Sequence, residues 1–280
     1  MIIKSVGVLR HPKIAETSDV AEQVITALRE WGVAAHLAST WDTTSIEAII
    51  QKLDLLVVLG GDGSTLRAAR VASPHGVMVT SINMGRLGFI SEMQPNDWRT
   101  SLRRIIDGDY WIEERMMLHT EAYRESEKLG SRDALNDVVI SRGTLARIVR
   151  VRTVVDHSLL TTYACDGLIV ATATGSTAYA LAAGGPILPP TLKNIVLVPI
   201  APHLSLDKPI VLSQGSIVEM FVGTDHQAIL TNDGQNELTL RNGDRVVVQA
   251  GKNVARFCRV QSPSYFYHTL MTRLKPEPCD

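Results

Sequence analysis

An aspartate set among three glycines is the residue of this sequence best placed for chemistry: Leu59-Gly60-Gly61-Asp62-Gly63-Ser64-Thr65-Leu66. Glycines let the backbone turn sharply and approach a ligand, and free N–H groups at the start of a following helix suit phosphate oxygens. A carboxylate repels phosphate, so Asp62 makes sense there as the group that orients an attacking hydroxyl or takes its proton. A glycine-rich turn with Asp62 as a helix cap is the plainer alternative. The segment is not a Walker A loop, which needs Gly-x-x-x-x-Gly-Lys-Ser/Thr. Nor is it the dinucleotide pattern Gly-x-Gly-x-x-Gly, because Leu66 takes the third glycine position.

A second segment carries Asp166-Gly167, then Thr172-Ala173-Thr174-Gly175-Ser176-Thr177-Ala178-Tyr179, and ends in Gly184-Gly185-Pro186. A hydroxyl-rich loop that opens a helix can bind phosphate or carry sugar contacts; a helix start capped by Ser176 or Thr177 is the alternative. Asn136-Asp137 stands immediately before the apolar Val138-Val139-Ile140. Its amide can pair with an adenine edge and its carboxylate can accept from ribose hydroxyls, although a polar turn before a strand would look the same. Asn83-Met84-Gly85-Arg86-Leu87-Gly88-Phe89 reads as a tight loop, structural for most of its residues. His203 has no second His, Cys or carboxylate at ligand spacing and reads as structural.

The elements that must position these residues change character along the chain. Residues 2–9 read as a buried first strand, a helix runs from Ser18 or Asp19 to Trp31, and a strand spans 33–38. A second helix lies near 45–52. Leu55-Leu56-Val57-Val58-Leu59 is a continuous apolar run of the kind a parallel strand shows when both its faces are covered. Helix-favouring Leu66–Arg70 and the strand Val77–Val79 follow. This alternation predicts an open parallel sheet with helices on both faces, whose ligands bind beyond the carboxyl ends of the strands, where Gly60–Ser64 would lie. Beyond Asp107-Gly108-Asp109 long helical patterns become scarce. Alternating stretches at Ile148–Val155, Ser216–Phe221, Glu237–Leu240 and Arg245–Val248 are punctuated by Asn232-Asp233-Gly234 and Asn242-Gly243-Asp244. The fold class expected is an α/β N-terminal domain with a parallel sheet, then a mainly β C-terminal domain. A C-terminal helix with Phe266, Leu270 and Leu274 on one face returns to the first domain. The domain bounds expected are 1–107, 108–257 and a tail, 258–280.

Composition narrows the class. With 45% hydrophobic and 20% charged residues in 280, the chain has the makings of a folded core and not of a disordered segment. A net charge of −1 gives no general attraction for nucleic acid or anionic membrane. Three cysteines, Cys165, Cys258 and Cys279, with no Cys-x-x-Cys spacing argue against a disulfide framework or cysteine zinc site. The interrupted start and the want of any apolar run of about 18 residues predict a cytoplasmic protein with no membrane partner.

Taken in order, these segments resemble the NAD kinase family. The matching pieces are Gly60-Gly61-Asp62-Gly63, Asn83-x-Gly85-x-Leu87-Gly88-Phe89, Asn136-Asp137, Asp166-Gly167 with Thr174–Tyr179, and Pro202-His203 ahead of Pro209-Ile210. The resemblance implies an enzyme that moves the terminal phosphoryl of ATP, or of inorganic polyphosphate, to the 2′-hydroxyl of the adenosine ribose of NAD, giving NADP. It implies NAD held between two domains, a divalent ion such as Mg²⁺ carried with the donor, no dedicated protein metal site, and a homodimer or homotetramer. By position, Asp62 would be the catalytic carboxylate, and Gly60, Gly61 and Gly63 the phosphate-facing turn, with Gly63 also beside NAD. Asn136 and Asp137 would contact adenosine, Asp166 would lie near the nicotinamide end, and Thr177, Ala178 and Tyr179 would line the NAD site.

Four positions depart from the family's usual residues: Ser64 for Thr, Asp137 for Glu, Ala173 for the Pro of Thr-Pro-Thr-Gly, and Ala182 for Ser. None removes the proposed catalytic group. A lipid or sugar kinase sharing Gly-Gly-Asp-Gly is opposed by the Asn83–Phe89 and Thr174–Tyr179 segments. A non-catalytic NAD(P)-binding regulator is opposed by the retention of Asp62.

Overall fold

The first four strands, β1 (Ser5–Arg10), β2 (Ala34–Ser39), β3 (Leu55–Gly60) and β4 (Met78–Asn83), lie parallel in the order β2-β1-β3-β4. The structure is a computed structural model that describes residues 2–85, 88–143 and 147–274, the side chain of Asn236 excepted. Helices α1 (Glu16–Glu30), α2 (Thr43–Glu47), α3 (Asp62–Ala72) and α4 (Trp98–Ile106) fill the connections and the exit from β4. Every residue of β3 and of β4 is buried, as a parallel strand covered on both faces requires. On one face Leu55, Val57 and Leu59 pack with Val24 and Leu28 of α1 and Leu102 and Ile105 of α4.

Two sequence expectations shift. The helix placed at 45–52 is instead α2, capped by Asp42 accepting from Ser45 N–H at 3.0 Å, followed by a separate 3-10 turn at Ile50–Lys52. The helix seen at Leu66–Arg70 starts four residues earlier, at Asp62, so the glycine loop and the helix N-terminus are one feature.

The rest of the chain is mainly β: β5 (Trp111–Arg124), β6 (Glu127–Ala134), β7 (Asp137–Arg142), β8 (Val149–Val155), β9 (Ser158–Cys165), β10 (Gly167–Thr172), the short α5 (Tyr179–Ala182), β11 (Ile195–Ile200), β12 (Ile210–Leu212), β13 (Val218–Gly223), β14 (Ala228–Asn232), β15 (Gln235–Leu240) and β16 (Arg245–Arg259), then α6 (Tyr265–Leu274). The chain divides into two compact units, Met1–Glu114 with Val254–Asp280, and Arg115–Asn253; the divisions fall inside the long strands β5 and β16. In the second unit an antiparallel sheet, β12-β11-β10-β7-β14-β15, shares an apolar core with β8, β9 and β13 through Val138, Ile140, Leu168, Val170, Val151 and Met220. Its other face carries Val139, Ile169, Ala171 and Val198 against Ala180 of α5. β10 is therefore buried on both sides although it is antiparallel.

In the first unit the tail is fastened by a charge. Arg259, 1% exposed, donates to Glu113 Oε2 from Nε at 3.0 Å and Nη2 at 2.9 Å, to Glu92 Oε2 at 3.0 Å and to the Ile90 carbonyl at 2.7 Å. Tyr265 Oη, at the start of α6, donates to Glu113 Oε1 at 3.1 Å. Burial works against the guanidinium charge, but Tyr265, Glu113 and Glu92 outweigh it and hold its pKa above the ordinary arginine value. The expected apolar stripe of α6 holds in part: Phe266 is buried, whereas Leu274 is exposed. Arg259→Met should cost about 3–5 kcal/mol of stability by urea unfolding, because two carboxylates stay buried without their cation; a loss under about 1 kcal/mol would show that the cluster does not hold the tail.

Candidate active site

Asp62 occupies the first helical position of α3, and Gly61, not Asp62, is the N-cap. The capping alternative therefore gives way to another arrangement. The carboxylate turns to the connection after β4 and accepts N–H bonds from Phe89 at 2.9 Å on Oδ2 and from Ile90 at 3.4 Å on Oδ1. Each oxygen keeps a lone pair for a hydroxyl proton. A Cβ at Gly88 would lie 1.8 Å from Asp62 Oδ1, so only glycine lets the two segments approach. Gly61 and Gly63 face open space, and the first N–H groups of α3 have no intrahelical carbonyl to bind. A Cβ at Gly60 would meet Ser64 Oγ at 2.6 Å, which accounts for a glycine there. Asn83 steadies the connection by donating from Nδ2 to the Gly85 carbonyl at 2.9 Å; Arg86 and Leu87 lie outside the described residues.

In the second unit the structure brings Asn136, Asp137 and the Thr172–Ala178 loop together. Thr172 Oγ1 donates to the Leu135 carbonyl at 2.6 Å and Thr172 N–H to the Asn136 carbonyl at 2.8 Å. A Cβ at Gly175 would come within 2.0 Å of the Asn136 carbonyl, so the third glycine of interest is also a close-approach glycine. The buried Asn136 Oδ1 and Thr174 Oγ1 have no hydrogen-bond partner among the described residues. Buried polar atoms without partners are costly, and a ligand that bonds them removes the cost. Ser176 and Thr177 do not cap a helix. Ser176 Oγ donates to the Ala173 carbonyl at 2.7 Å and accepts from Leu188 N–H at 2.9 Å, tying the loop down. Tyr179 is 47% exposed at the head of α5. Asp166 pairs with Arg142, 3.2 Å from Nη2.

One organising residue escaped the sequence reading. Asp233 was read only as part of a turn. Its buried carboxylate accepts N–H bonds from Asn136 at 2.7 Å, Leu135 at 3.1 Å and Asp137 at 3.3 Å, and its own N–H donates to the Asp137 carbonyl at 2.9 Å. It does so at φ 52 with Gly234 at φ 64, the left-handed pair of a tight hairpin. Burial, and then the charge of Asp233, push the Asp137 carboxyl up to about 7. Near neutrality Asp137 is divided between a form that donates and one that only accepts.

Residues 7–110 match the family model described as the ATP-NAD kinase N-terminal domain, and residues 135–260 match that of the ATP-NAD kinase C-terminal domain. An NAD kinase of Chloroflexus aggregans is 39% identical over 278 residues, covering 98% of this chain and 99% of its own length. This chain belongs to the NAD kinase family. An NAD kinase of Heliobacterium modesticaldum is 44% identical over 218 residues, 78% of this chain and 77% of its own. Among solved structures, an NAD kinase from Archaeoglobus fulgidus in complex with ATP aligns with a TM-score of 0.77 at 25% identity, covering 96% of this chain and 98% of its own. Yeast NADH kinase complexed with NADH shares the fold, with a TM-score of 0.86 at 22% identity, covering 100% of this chain and 91% of its own.

Within this NAD kinase family member, His203 is exposed, and its backbone N–H donates to the Ala164 carbonyl at 2.7 Å. No helix among the described residues is long and apolar enough to cross a membrane.

Gly88→Ala should leave the fold intact by circular dichroism yet cut turnover by about a hundredfold, on the scale expected when a reacting group is displaced by an ångström; turnover within twofold of wild type would mean that Asp62 does not need this approach. The Asp137 carboxyl has a folded-state pKa of about 7 against an ordinary 3.8, so the folded chain keeps a proton that the unfolded chain releases. Its contribution to stability is full below the unfolded value and is lost as pH rises through the folded one. Melting temperatures measured from about pH 5 to about pH 8 should therefore fall in wild type relative to Asp137→Asn; a constant difference would show Asp137 ionised throughout.

Proposed function

We propose that this chain is an NAD kinase that transfers the terminal phosphoryl group of ATP to the 2′-hydroxyl of the adenosine ribose of NAD, giving NADP and ADP. The observation that carries the reading is the Asp62 carboxylate, fixed by two backbone N–H groups at the N-terminus of α3 among glycines. A bond forms between the ribose 2′-oxygen and the transferred phosphorus. The bond to the β-phosphate oxygen breaks, and the 2′-hydroxyl proton passes to Asp62 and from there to solvent. Gly60, Gly61 and Gly63 give the donor phosphates N–H groups without side chains in the way. Phosphoryl transfer asks mainly for alignment and charge stabilisation, which rigidly held backbone groups supply.

NAD recognition falls to the second unit. The unpartnered Asn136 Oδ1 suits the exocyclic amine of adenine, and Asp137 suits the ribose hydroxyls. Thr177, Ala178 and Tyr179 line the dinucleotide, and Asp166, steadied by Arg142, lies toward its nicotinamide end. The family resemblance implies a divalent ion that is brought in by the donor's own phosphates. Such an ion, Mg²⁺ or a similar one, would neutralise phosphate charge as the terminal group leaves.

The test is NADP formation from NAD with Mg-ATP, followed by a coupled NADP-specific dehydrogenase. Wild type should turn over, and Asp62→Asn should bind NAD as before while losing about 10²–10⁴-fold in rate. A variant near the wild-type rate would remove Asp62 from its role. NAD binding without turnover on ATP or polyphosphate would replace the kinase with a regulator.

A further inference from the structure

The β5–β6 hairpin of the second unit carries a serine, a histidine and an aspartate that the kinase reaction does not use. In the register of the two strands His119 lies opposite Asp133, and Glu121 opposite Ser131, so the four side chains stand on one face. Leu118, Ala122 and Ala134 take the other face and join the core. The outer face leaves the group open to water: the His119 side chain is 33% exposed, that of Asp133 22%, and Ser131 is exposed.

His119 Nδ1 lies 2.6 Å from Asp133 Oδ1, and its Nε2 lies 3.1 Å from Ser131 Oγ. A carboxylate only accepts, so the nitrogen beside Asp133 carries the proton. In the neutral ring Nε2 then keeps its lone pair, and the Ser131 hydroxyl donates to it. Asn253 Nδ2 reaches the other oxygen of Asp133 at 3.4 Å. Glu121 Oε1 lies 3.7 Å from Nε2. Lys128, and then Tyr123, hold the Glu121 carboxyl down to about 2, so it is charged at neutral pH. Carboxylates thus stand at both ends of the ring, where positive charge appears when the ring takes a proton.

Two hollows give a reactant room. Ser131 lines one of about 340 Å³ together with Ala122, Leu129, Leu230 and Leu238. His119 and Asp133 line another of about 320 Å³ together with Gln249, Lys252 and Asn253. The first offers apolar wall to a short acyl chain. The second offers an ammonium and two amides to an oxygen that gains charge.

We infer that Ser131 is a nucleophile toward carboxylic esters of short acyl chains, with His119 as its general base and Asp133 as the residue that positions the ring. Ser131 Oγ attacks the ester carbonyl carbon as its proton passes to His119 Nε2. The bond from that carbon to the leaving oxygen breaks, and the proton departs with the alcohol. Water then attacks the acyl-serine and gives a proton to the same nitrogen. The bond to Ser131 Oγ breaks, the carboxylic acid leaves, and Ser131 regains its proton.

The test uses the full chain as wild type, Ser131→Ala, His119→Gln and Asp133→Asn, each checked for folding by circular dichroism. Hydrolysis of p-nitrophenyl butyrate is followed by the nitrophenol released, and a fluorophosphonate label is located by peptide mass spectrometry. Wild type should turn over the ester and take the label on Ser131. Ser131→Ala should lose the label and at least about a hundredfold in kcat, and His119→Gln should lose about as much of both rates. Asp133→Asn should lower kcat by about the same factor with KM within about twofold, because its amide can donate to Nδ1 and move the ring proton to Nε2, where it blocks the base. A label on another residue overturns the inference from wild type alone, whatever the variants do. Ester hydrolysis by Ser131→Ala, or labelling of His119→Gln, within about twofold of wild type would overturn it as well.

Discussion

A guanidinium with no access to water constrains the first unit more than any other group. Arg259 draws together Glu113 of β5, Glu92 and Ile90 from the connection after β4, and Tyr265 of α6. Removing an ion from water costs several kcal/mol, and the cost is met only if each hydrogen-bonding position is filled. The second oxygen of Glu92 accordingly takes the N–H groups of Val260 and Gln261, both at 2.7 Å. Segments far apart in the chain are left with one arrangement that satisfies all of them.

That arrangement reaches the chemistry through one residue. Ile90 gives its carbonyl to Arg259 and its N–H to Asp62, so the carboxylate is held by a connection that is itself held from below. Gly88 permits the approach. The consequence is a carboxylate whose position is set by backbone and not by its own rotamer freedom, which suits a reaction that depends on alignment.

The second unit solves a similar problem with the opposite charge. Asp233 collects three successive N–H groups of the Leu135–Asp137 segment, and so shapes the residues proposed to meet adenosine. Burial first, and then the negative charge of Asp233, lift the Asp137 carboxyl toward neutrality. One side chain sets the shape of the segment and adds to the shift that burial imposes on Asp137.

Much of this was legible in the sequence where the signal is local. Alternating apolar runs and helical stretches gave the parallel sheet, glycines marked the loop at Asp62, and Asn232-Asp233-Gly234 marked a hairpin, because strand burial, tight turns and close approach each leave a short-range imprint on residue type. Helix limits were less legible: α3 begins at Asp62 because a glycine can serve as its N-cap, which no polar capping residue announced. The sequence by itself determined the set of chemical groups and the elements that carry them, and their ordered motifs pointed to the family. Only the tertiary structure decided that Asp62 answers to Phe89 and Ile90, that Arg259 stands behind them, that Asp233 gathers the Leu135–Asp137 segment, and that His119 stands between Ser131 and Asp133. Those pairings join residues distant in the chain, and desolvation, hydrogen-bond satisfaction and Coulomb interactions depend on distance in space, to which spacing in sequence gives no guide.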